Sequence, residues 1–279
     1  MLLNFTNKRI LITGASKGLG KAAAIAFEKK GAQLALVARS EDKLEDLKKS
    51  FKESEKHLFF SFDLFEPSNI ELLAKDILSK WGGIDVILHC VGGSFQLNES
   101  LINWQDFSRS LQGNIGISSE INRLLVPSMK LQCAGNIIHV CSHVASEARG
   151  SASVPGSAGS IPYNTAKAAL SGYIRSLGKE LAENGIIVSG ILPGAFYGDD
   201  NAMFRFEYYK PAEYHEFVKS LPQQRMPLAD EYIPMLFLLS NPESKIMSGS
   251  LITMDGAQGL SLIHISEPTR LLSISYAVF

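Results

Sequence analysis

The chain has 279 residues, of which 46% are hydrophobic and 20% charged, and its 27 Lys and Arg residues nearly balance its 28 Asp and Glu. This composition can build a sizeable core, and the balanced charge gives no basis for binding nucleic acid or an anionic membrane. The cysteines and histidines show neither a metal-ligand spacing nor a disulfide framework, so no metal site is expected. No leader peptide or bilayer-spanning run is recognisable, and we expect a soluble, cytoplasmic protein without nucleic-acid or membrane partners.

Short β-rich runs alternate with amphipathic helical segments along most of the chain. Residues 35–38 (ALVA) and 86–90 (VILHC) are apolar on both faces, which is typical of parallel strands covered by helices on both sides. The pattern predicts an α/β fold, a single doubly wound domain with a mostly parallel seven-stranded sheet. We expect strands at Arg9–Thr13, Gln33–Ala38, Leu58–Phe62, Val86–Cys90, Asn136–Cys141, Ile186–Ile191 and Gly249–Met254, and helices at Gly20–Lys30, Lys43–Lys52 and Ile70–Trp81, among others.

A glycine-rich turn, residues 13–20 (TGASKGLG), follows the first predicted strand and precedes an Ala-rich helix. Glycines let a backbone turn sharply and approach a pyrophosphate, and the helix N-terminus offers free N–H groups and a positive dipole end. The alternative is a tight strand–helix turn without a ligand. The strand-before, helix-after context favours a dinucleotide phosphate site made of Gly14, Ser16, Lys17, Gly18, Leu19 and Gly20.

A second motif, residues 163–167 (YNTAK), lies past the middle of the chain. On a helix, Tyr163 and Lys167 share one face, so the phenol and the ammonium point into the same space. A nearby cation favours the phenolate and lowers the pKa of a tyrosine towards neutrality, where it can exchange a proton. Taken alone, the motif is equally compatible with a surface Tyr–Lys pair.

Together, the two motifs resemble the classical short-chain dehydrogenase/reductase family, from about Asn7 to Gly259. The resemblance implies a single Rossmann-type domain, which we place at residues 1–260. Further family landmarks follow in order along the chain. They are Asp63 with Leu64 at the adenine, Val91 and Gly92 within residues 89–93 (HCVGG), a catalytic Asn114, a catalytic Ser142, and the late signatures Pro193-Gly194 and Asp255-Gly256.

The resemblance implies that a carbonyl and an alcohol of a small-molecule substrate are interconverted by hydride transfer with NAD(P)(H). Ser142 would polarise the substrate carbonyl, and Tyr163 would donate or accept the proton. Lys167 would lower the pKa of Tyr163 and hold the nicotinamide ribose, while Asn114 would anchor a water that links Lys167 to solvent. The family also implies a homodimer or homotetramer.

The chain departs from the family pattern at three places. Ser142 and Tyr163 are 21 positions apart, more than is usual, so residues 149–160 are interpreted as an outward insertion, with Ser146 as the alternative serine. Gly198 stands where a threonine is common. His89 and Cys90 replace two asparagines beside the cofactor.

Cofactor choice depends on the end of the second strand. A carboxylate there would bind the ribose hydroxyls of NAD and repel a 2′-phosphate. This chain has Arg39 instead, with Lys17 in the glycine turn, and two cations favour the phosphate of NADP. We therefore expect NADP(H), with NAD(H) as the alternative and a solvent-facing Arg39 as the competing interpretation.

Two further segments carry expectations. Residues 196–224 are rich in aromatic side chains and are interpreted as a substrate lid or, equally, as a surface helix pair. Residues 261–279 follow the last family signature, and their SLIHISEPTR run resembles translated sequencing-adapter read-through, so we expect a non-native tail. The alternative for this tail is an arm that packs on a neighbouring subunit.

Two other functions compete with the oxidoreductase. A non-catalytic, nucleotide-binding regulator could use the same fold. The presence of Asn114, Ser142, Tyr163 and Lys167 argues against it. A sugar-nucleotide epimerase or dehydratase of the related extended group would have a differently spaced glycine turn.

Overall fold

Seven strands pair in parallel in one sheet, in the order β3-β2-β1-β4-β5-β6-β7. The computed structural model describes residues 4–95, 97, 99, 101–147 and 160–259. The strands are β1 (Arg9–Thr13), β2 (Gln33–Ala38), β3 (Leu58–Ser61), β4 (Val86–His89), β5 (Gly135–Val140), β6 (Ile186–Pro193) and β7 (Leu251–Met254). The predicted α/β fold is confirmed, and the first two strands have the predicted bounds.

Helices cover both faces of the sheet because alternate residues of each strand point to opposite sides. Ile10 and Ile12 of β1 join the core beneath one helical layer, whereas Leu11 joins the core beneath the other. The helices are α1 (Gly18–Glu28), α2 (Glu41–Ser50), α3 (Pro67–Trp81), α4 (Trp104–Leu111), α5 (Ile117–Gln132), α6 (Ile161–Leu181), α7 (Ala202–Tyr209), α8 (Pro211–Ser220) and α9 (Ile233–Leu239). Within this described part, no helix is both long and apolar enough to cross a bilayer.

The order of the strands reverses between β1 and β4, which are neighbours in the sheet. In a doubly wound sheet, ligands bind in the crevice at the carboxyl ends of the strands at such a switch point. The glycine turn follows β1, and residues 90–93 follow β4 at the same edge. The fold therefore directs the two glycine-containing segments to one crevice.

The region from residue 196 to 224 contains two helices, α7 and α8, as the interpretation of a helix pair requires. Aromatic rings hold the pair together, with Tyr214 packed against Tyr197 and Phe206, and Phe206 against Phe217. Tyr208 and Tyr209 are largely exposed. Residues 196–224 are called the lid below, after the role proposed for them. Most of the Ser/Gly-rich insertion and the whole of the 261–279 tail lie outside the described residues.

Candidate active site

A hydrogen bond joins Ser142 to the phenol of Tyr163. Ser142 follows β5 and precedes a short 3₁₀ helix, His143–Ala145, and its hydroxyl also accepts a bond from the Val144 N–H at 3.4 Å. Tyr163 lies in the first turn of α6, where Pro162 fits because the first helical N–H groups have no intrahelical partner. Ser146 is exposed. The long chain gap therefore leaves Ser142, and not Ser146, next to the tyrosine.

Burial raises the pKa of Tyr163 to about 12, and the bond from Ser142 offsets only part of this rise. The direction is opposite to the one expected from Lys167 alone. The reason is geometric, since the Lys167 ammonium lies 5.8 Å from the centre of the Tyr163 ring and donates a hydrogen bond to the Val140 carbonyl. A buried phenolate loses hydration that this distant cation does not replace. The protein alone therefore holds Tyr163 in its neutral, proton-donating form.

Lys167 is a buried cation with one backbone partner. Only 3% of the residue is exposed, and its Nζ donates to the Val140 carbonyl at 3.0 Å. Burial lowers the pKa of Lys167, and the nearby thiols of Cys141 and Cys90 oppose that change. A buried ammonium with N–H groups to spare is a strong donor for a polar ligand in the crevice.

Asn114 sits in a single turn of π-helix, Gln112–Gly116, inserted between α4 and α5. Its side-chain Nδ2 donates to the carbonyls of Ser110 and Gly93, both at 2.9 Å, and its Oδ1 accepts from the Gly93 N–H at 3.0 Å. Such π-turns occur frequently at functional sites because they redirect side chains. Here the turn ties Asn114 to the segment that follows β4.

Gly92 links Asn114 to Lys167. A Cβ at this position would lie 2.9 Å from Asn114 Oδ1 and 3.0 Å from Lys167 Nζ, and the glycine has a φ of +153°. Both side chains therefore approach the same face of one residue. The side chains of Asn114, Lys167, Tyr163 and Ser142 therefore gather at the carboxyl edge of the sheet.

The glycine turn has the backbone geometry that a phosphate cradle requires. Gly14 and Gly18 have positive φ values of 68° and 53°, and a Cβ on Gly20 would lie 2.3 Å from the Gly14 carbonyl oxygen. Helix α1 begins at Gly18, so Leu19 and Gly20 lie in its first turn, where N–H groups lack intrahelical acceptors. These features fit a dinucleotide pyrophosphate.

Thr13 holds the two sides of the crevice together, a role that the sequence analysis missed. Its Oγ1 accepts from the N–H groups of Cys90 and Val91 at 3.1 and 3.2 Å. The available signal was its position at the end of β1, beside the end of β4. This contact fixes Val91 and, with it, Gly92 over the glycine turn.

The adenosine end of the crevice is basic on one side and acidic on the other. Arg39 is exposed directly after β2, and Lys17 is close enough for Arg39 to act on its pKa. After β3, Asp63 Oδ1 accepts from the Phe65 N–H at 3.1 Å. The side chain of Leu64 belongs to the core, which leaves its backbone for any contact with a ligand.

The Pro193–Gly194 segment is clamped at the end of β6. The Pro193 carbonyl contacts His143 Nδ1 at 3.0 Å. The side-chain amide of Gln258 bonds both the N–H and the carbonyl of Ala195, at 2.7 and 3.0 Å, and it lies where a Cβ on Gly194 would be. Gln258 follows the Asp255-Gly256 signature, which brings the chain back to this edge.

The structure accounts for histidine at position 89, where the family commonly has asparagine. His89 stacks on His139 of the neighbouring strand, with ring centres 4.5 Å apart, and its Nε2 contacts Asn122 Oδ1 at 2.9 Å. Burial lowers the pKa of His89 to about 4, so the ring is neutral at pH 7. Among the residues described, no three His, Cys, Asp or Glu side chains gather as metal ligands.

Comparison with known proteins identifies the family of the chain. A family model described as short chain dehydrogenase matches residues 8–206. A glucose 1-dehydrogenase of Gluconobacter oxydans is 26% identical over 92% of this chain and 93% of its own length. An NADPH-dependent pterin aldehyde reductase of Arabidopsis thaliana is 30% identical over 67% of this chain and 76% of its own length. The structure of L-sorbose reductase from Gluconobacter frateurii, complexed with NADPH and L-sorbose, is 25% identical and superposes with a TM-score of 0.82 over 94% of this chain and the whole of that one.

Proposed function

The chain belongs to the short-chain dehydrogenase family, and we propose that it uses NADP(H) in preference to NAD(H), with Tyr163 as the catalytic acid/base. It is an NAD(P)(H)-dependent oxidoreductase that interconverts a carbonyl and an alcohol. Its substrates are small molecules. The observation that carries the assignment of Tyr163 is its hydrogen bond to Ser142 beside a buried Lys167, at the same sheet edge as the glycine turn.

Each polar side chain has a separate task in this proposal. Ser142 donates to the substrate oxygen and positions it against the Tyr163 hydroxyl. Tyr163, neutral in the protein, delivers its proton to that oxygen during reduction and takes one during oxidation. Lys167 holds a ribose hydroxyl with the ammonium N–H groups that Val140 leaves over, and Asn114 orders the backbone at Gly93 and a water beside Lys167. The bound nicotinamide supplies or accepts the hydride.

The preference for NADP(H) rests on charge at the end of β2. Lys17 and Arg39 are close enough to interact electrostatically, and the strand does not end in a carboxylate. An acidic residue at this point would favour the free ribose hydroxyls of NAD. The NADPH named for the sorbose reductase and for the pterin aldehyde reductase supports this choice. Ser16, Asp63 and Leu64 would complete the contact surface for the adenosine.

We also propose a homodimer or homotetramer in the cytoplasm, with the catalytic domain at residues 1–260 and the lid at 196–224. Residues 261–279 are proposed not to belong to the native domain. A chain that ends at Leu260 should then unfold at the same temperature and elute at the same oligomeric size as the full chain. A loss of several degrees or of the oligomer would contradict this boundary.

Oxidation of NADPH and of NADH, followed at 340 nm with a panel of sugars, ketones, aldehydes and 3-oxoacyl thioesters, tests the proposal. We expect turnover with at least one carbonyl substrate and a higher kcat/KM for NADPH. A protein that binds NADPH in calorimetry but reduces none of the panel would support the regulatory alternative. A higher kcat/KM with NADH would contradict the NADP(H) assignment.

A further inference from the structure

We propose that Asp200 of the lid is the counter-ion of the 2′-phosphate site, and that Lys43 and Arg205 belong to this site. A bound 2′-phosphate then replaces Asp200 and releases the lid. This inference rests on the proposed use of NADP(H). The proposed phosphate site then includes two cations that lie far from the glycine turn in sequence. Cofactor choice becomes connected to the position of the lid.

Asp200 joins two elements through one carboxylate. Its Oδ2 accepts a bond from Lys43 Nζ of α2. Arg205 of α7 donates from Nη1 to the Asp200 carbonyl at 2.7 Å and to its Oδ1 at 3.2 Å. The carboxylate therefore ties the lid helix α7 to the helix that follows β2, the strand that carries the proposed ribose-phosphate site.

The charges around this carboxylate are strongly unbalanced. Loss of hydration lowers the pKa of Lys17, the cations Arg205, Lys43 and Arg39 lower it further, and Asp200 opposes them. The bond from Lys43 lowers the pKa of Asp200, and Lys17 and Arg205 add to that effect. Three cations, Lys43, Lys17 and Arg205, thus act on one carboxylate, and Arg39 in turn acts on Lys17. A phosphate dianion neutralises such a cluster better than a carboxylate, and the planar Arg guanidinium can bind it with two parallel hydrogen bonds.

The lid also rests directly on the glycine turn. The Gly18 N–H, at the start of α1, donates to the Asp199 carbonyl at 2.8 Å, and Asp199 forms an ion pair with Lys21. A Cβ on Gly198 would lie only 3.1 Å from Gly18 Cα, which explains why glycine stands at that position. Lid carbonyl and carboxylate groups therefore use the N–H and the cations that phosphate groups would need.

The exchange is one of ion pairs, with no covalent step. The 2′-phosphate takes Lys17, Arg39, Lys43 and Arg205 as partners, and Asp200 moves into solvent. NAD carries no phosphate at that position, so it leaves the bonds from Lys43 and Arg205 to Asp200 in place. Selectivity for NADP(H) then depends on lid residues as well as on the end of β2.

The test is isothermal titration of the full-length protein with 2′,5′-ADP and with 5′-AMP, which carry the adenosine end alone. Lys43→Gln and Arg205→Gln should each weaken 2′,5′-ADP binding about fivefold at low salt, as expected for one partly exposed ion pair, and leave 5′-AMP binding within about twofold. Asp200→Asn should act in the opposite direction and tighten 2′,5′-ADP binding. Lys49→Gln on α2 and Lys219→Gln on α8 remove exposed cations paired within their own helices and serve as matched controls.

Hydrogen exchange gives a second readout. Asp200→Asn should accelerate amide exchange in α7, because the variant lacks the carboxylate that pairs with Lys43 and Arg205. Unchanged 2′,5′-ADP affinity in all three variants, alongside a clear wild-type preference for 2′,5′-ADP over 5′-AMP, would overturn this inference and leave the NADP(H) proposal standing. A wild type without that preference would overturn both. Unchanged exchange in α7 would overturn the release of the lid.

Discussion

The Ser142 hydroxyl and the Tyr163 phenol are hydrogen-bonded, although Ser142 follows β5 and Tyr163 lies in the first turn of α6. Burial raises the pKa of Tyr163 to about 12, and the bond from Ser142 acts in the opposite direction. In the proposed mechanism, Ser142 would influence proton transfer by Tyr163 in addition to orienting the substrate carbonyl. This dual role leads to a measurable difference in pH dependence.

Ser142→Ala should raise the pKa of Tyr163 further, because the bond that stabilises the phenolate is lost. Alcohol oxidation needs the deprotonated phenol, so its kcat/KM rises with pH, and the rise should move to higher pH in the variant. Carbonyl reduction needs the neutral phenol and should keep its rate until higher pH than in the wild type. Profiles of kcat/KM against pH in both directions check this. A lower overall rate with an unshifted profile would mean that Ser142 only positions the substrate.

Arg39→Asp should move cofactor preference from NADPH towards NADH. A carboxylate after β2 repels the 2′-phosphate and accepts bonds from the ribose hydroxyls. The ratio of kcat/KM for NADPH to that for NADH should fall by about tenfold or more, the effect of one charge-assisted contact. Lys48→Asp, an exposed reversal on α2, is the control. An unchanged ratio would remove Arg39 from the specificity site.

Gly20→Ala should destabilise the glycine turn severely. The new Cβ would lie 2.3 Å from the Gly14 carbonyl oxygen, so the backbone of the turn must move. We expect a loss of about 2 kcal/mol or more in unfolding free energy and of measurable NADPH binding. Gly172→Ala on α6 meets no atom within 4 Å and, as a helix-interior change, should stabilise slightly. Equal unfolding temperatures for the two variants would contradict this account of the turn.

Asp85→Asn should lower the free energy of unfolding most at neutral pH. Burial would raise the pKa of Asp85, but hydrogen bonds from Arg9, at 2.8 to 2.9 Å, outweigh it and hold the pKa below its usual value. A depressed folded-state pKa gives stability that is present above the unfolded pKa and lost as the pH falls through the folded one.

Denaturant unfolding between pH 3 and pH 7 checks this. The variant should lose about 1–3 kcal/mol of unfolding free energy at pH 7. Its unfolding free energy should also fall less steeply than that of the wild type as the pH is lowered. Glu120→Gln, whose partner Arg123 is exposed, should change little. If the unfolding free energy of Asp85→Asn falls with decreasing pH as steeply as that of the wild type, other carboxylates cause the acid sensitivity.

The fold could be predicted because it follows from local patterns in the sequence. Alternation of strand and helix and continuous apolar runs indicated the parallel sheet, and β1 and β2 have the predicted bounds. Strand ends were less accurate, and β6 extends two residues further, to Pro193. That difference arises because β7 pairs with residues 190–193, a long-range contact that a local window does not contain.

The site was predictable only as far as motifs reach. Tyr163 and Lys167 share a helix, so their spacing placed them together. The expected lowering of the Tyr163 pKa was wrong because burial, a property of the whole fold, outweighs one cation at 5.8 Å. The contacts of Thr13 with Val91 and of Asp200 with Lys43 join segments distant in sequence and leave no local pattern. The residue roles stay predictions until variants are measured.

Tyr163→Phe tests the central claim most directly. The ring still fills its place, but no proton can be delivered, so turnover should fall by about 100-fold or more while NADPH affinity, measured by calorimetry, changes little. Tyr173→Phe, on the same helix with its hydroxyl bonded to Asn122, is the matched control and should keep its turnover. Turnover in Tyr163→Phe within a few-fold of the wild type, at equal NADPH affinity, would contradict the assignment of Tyr163 as the acid/base.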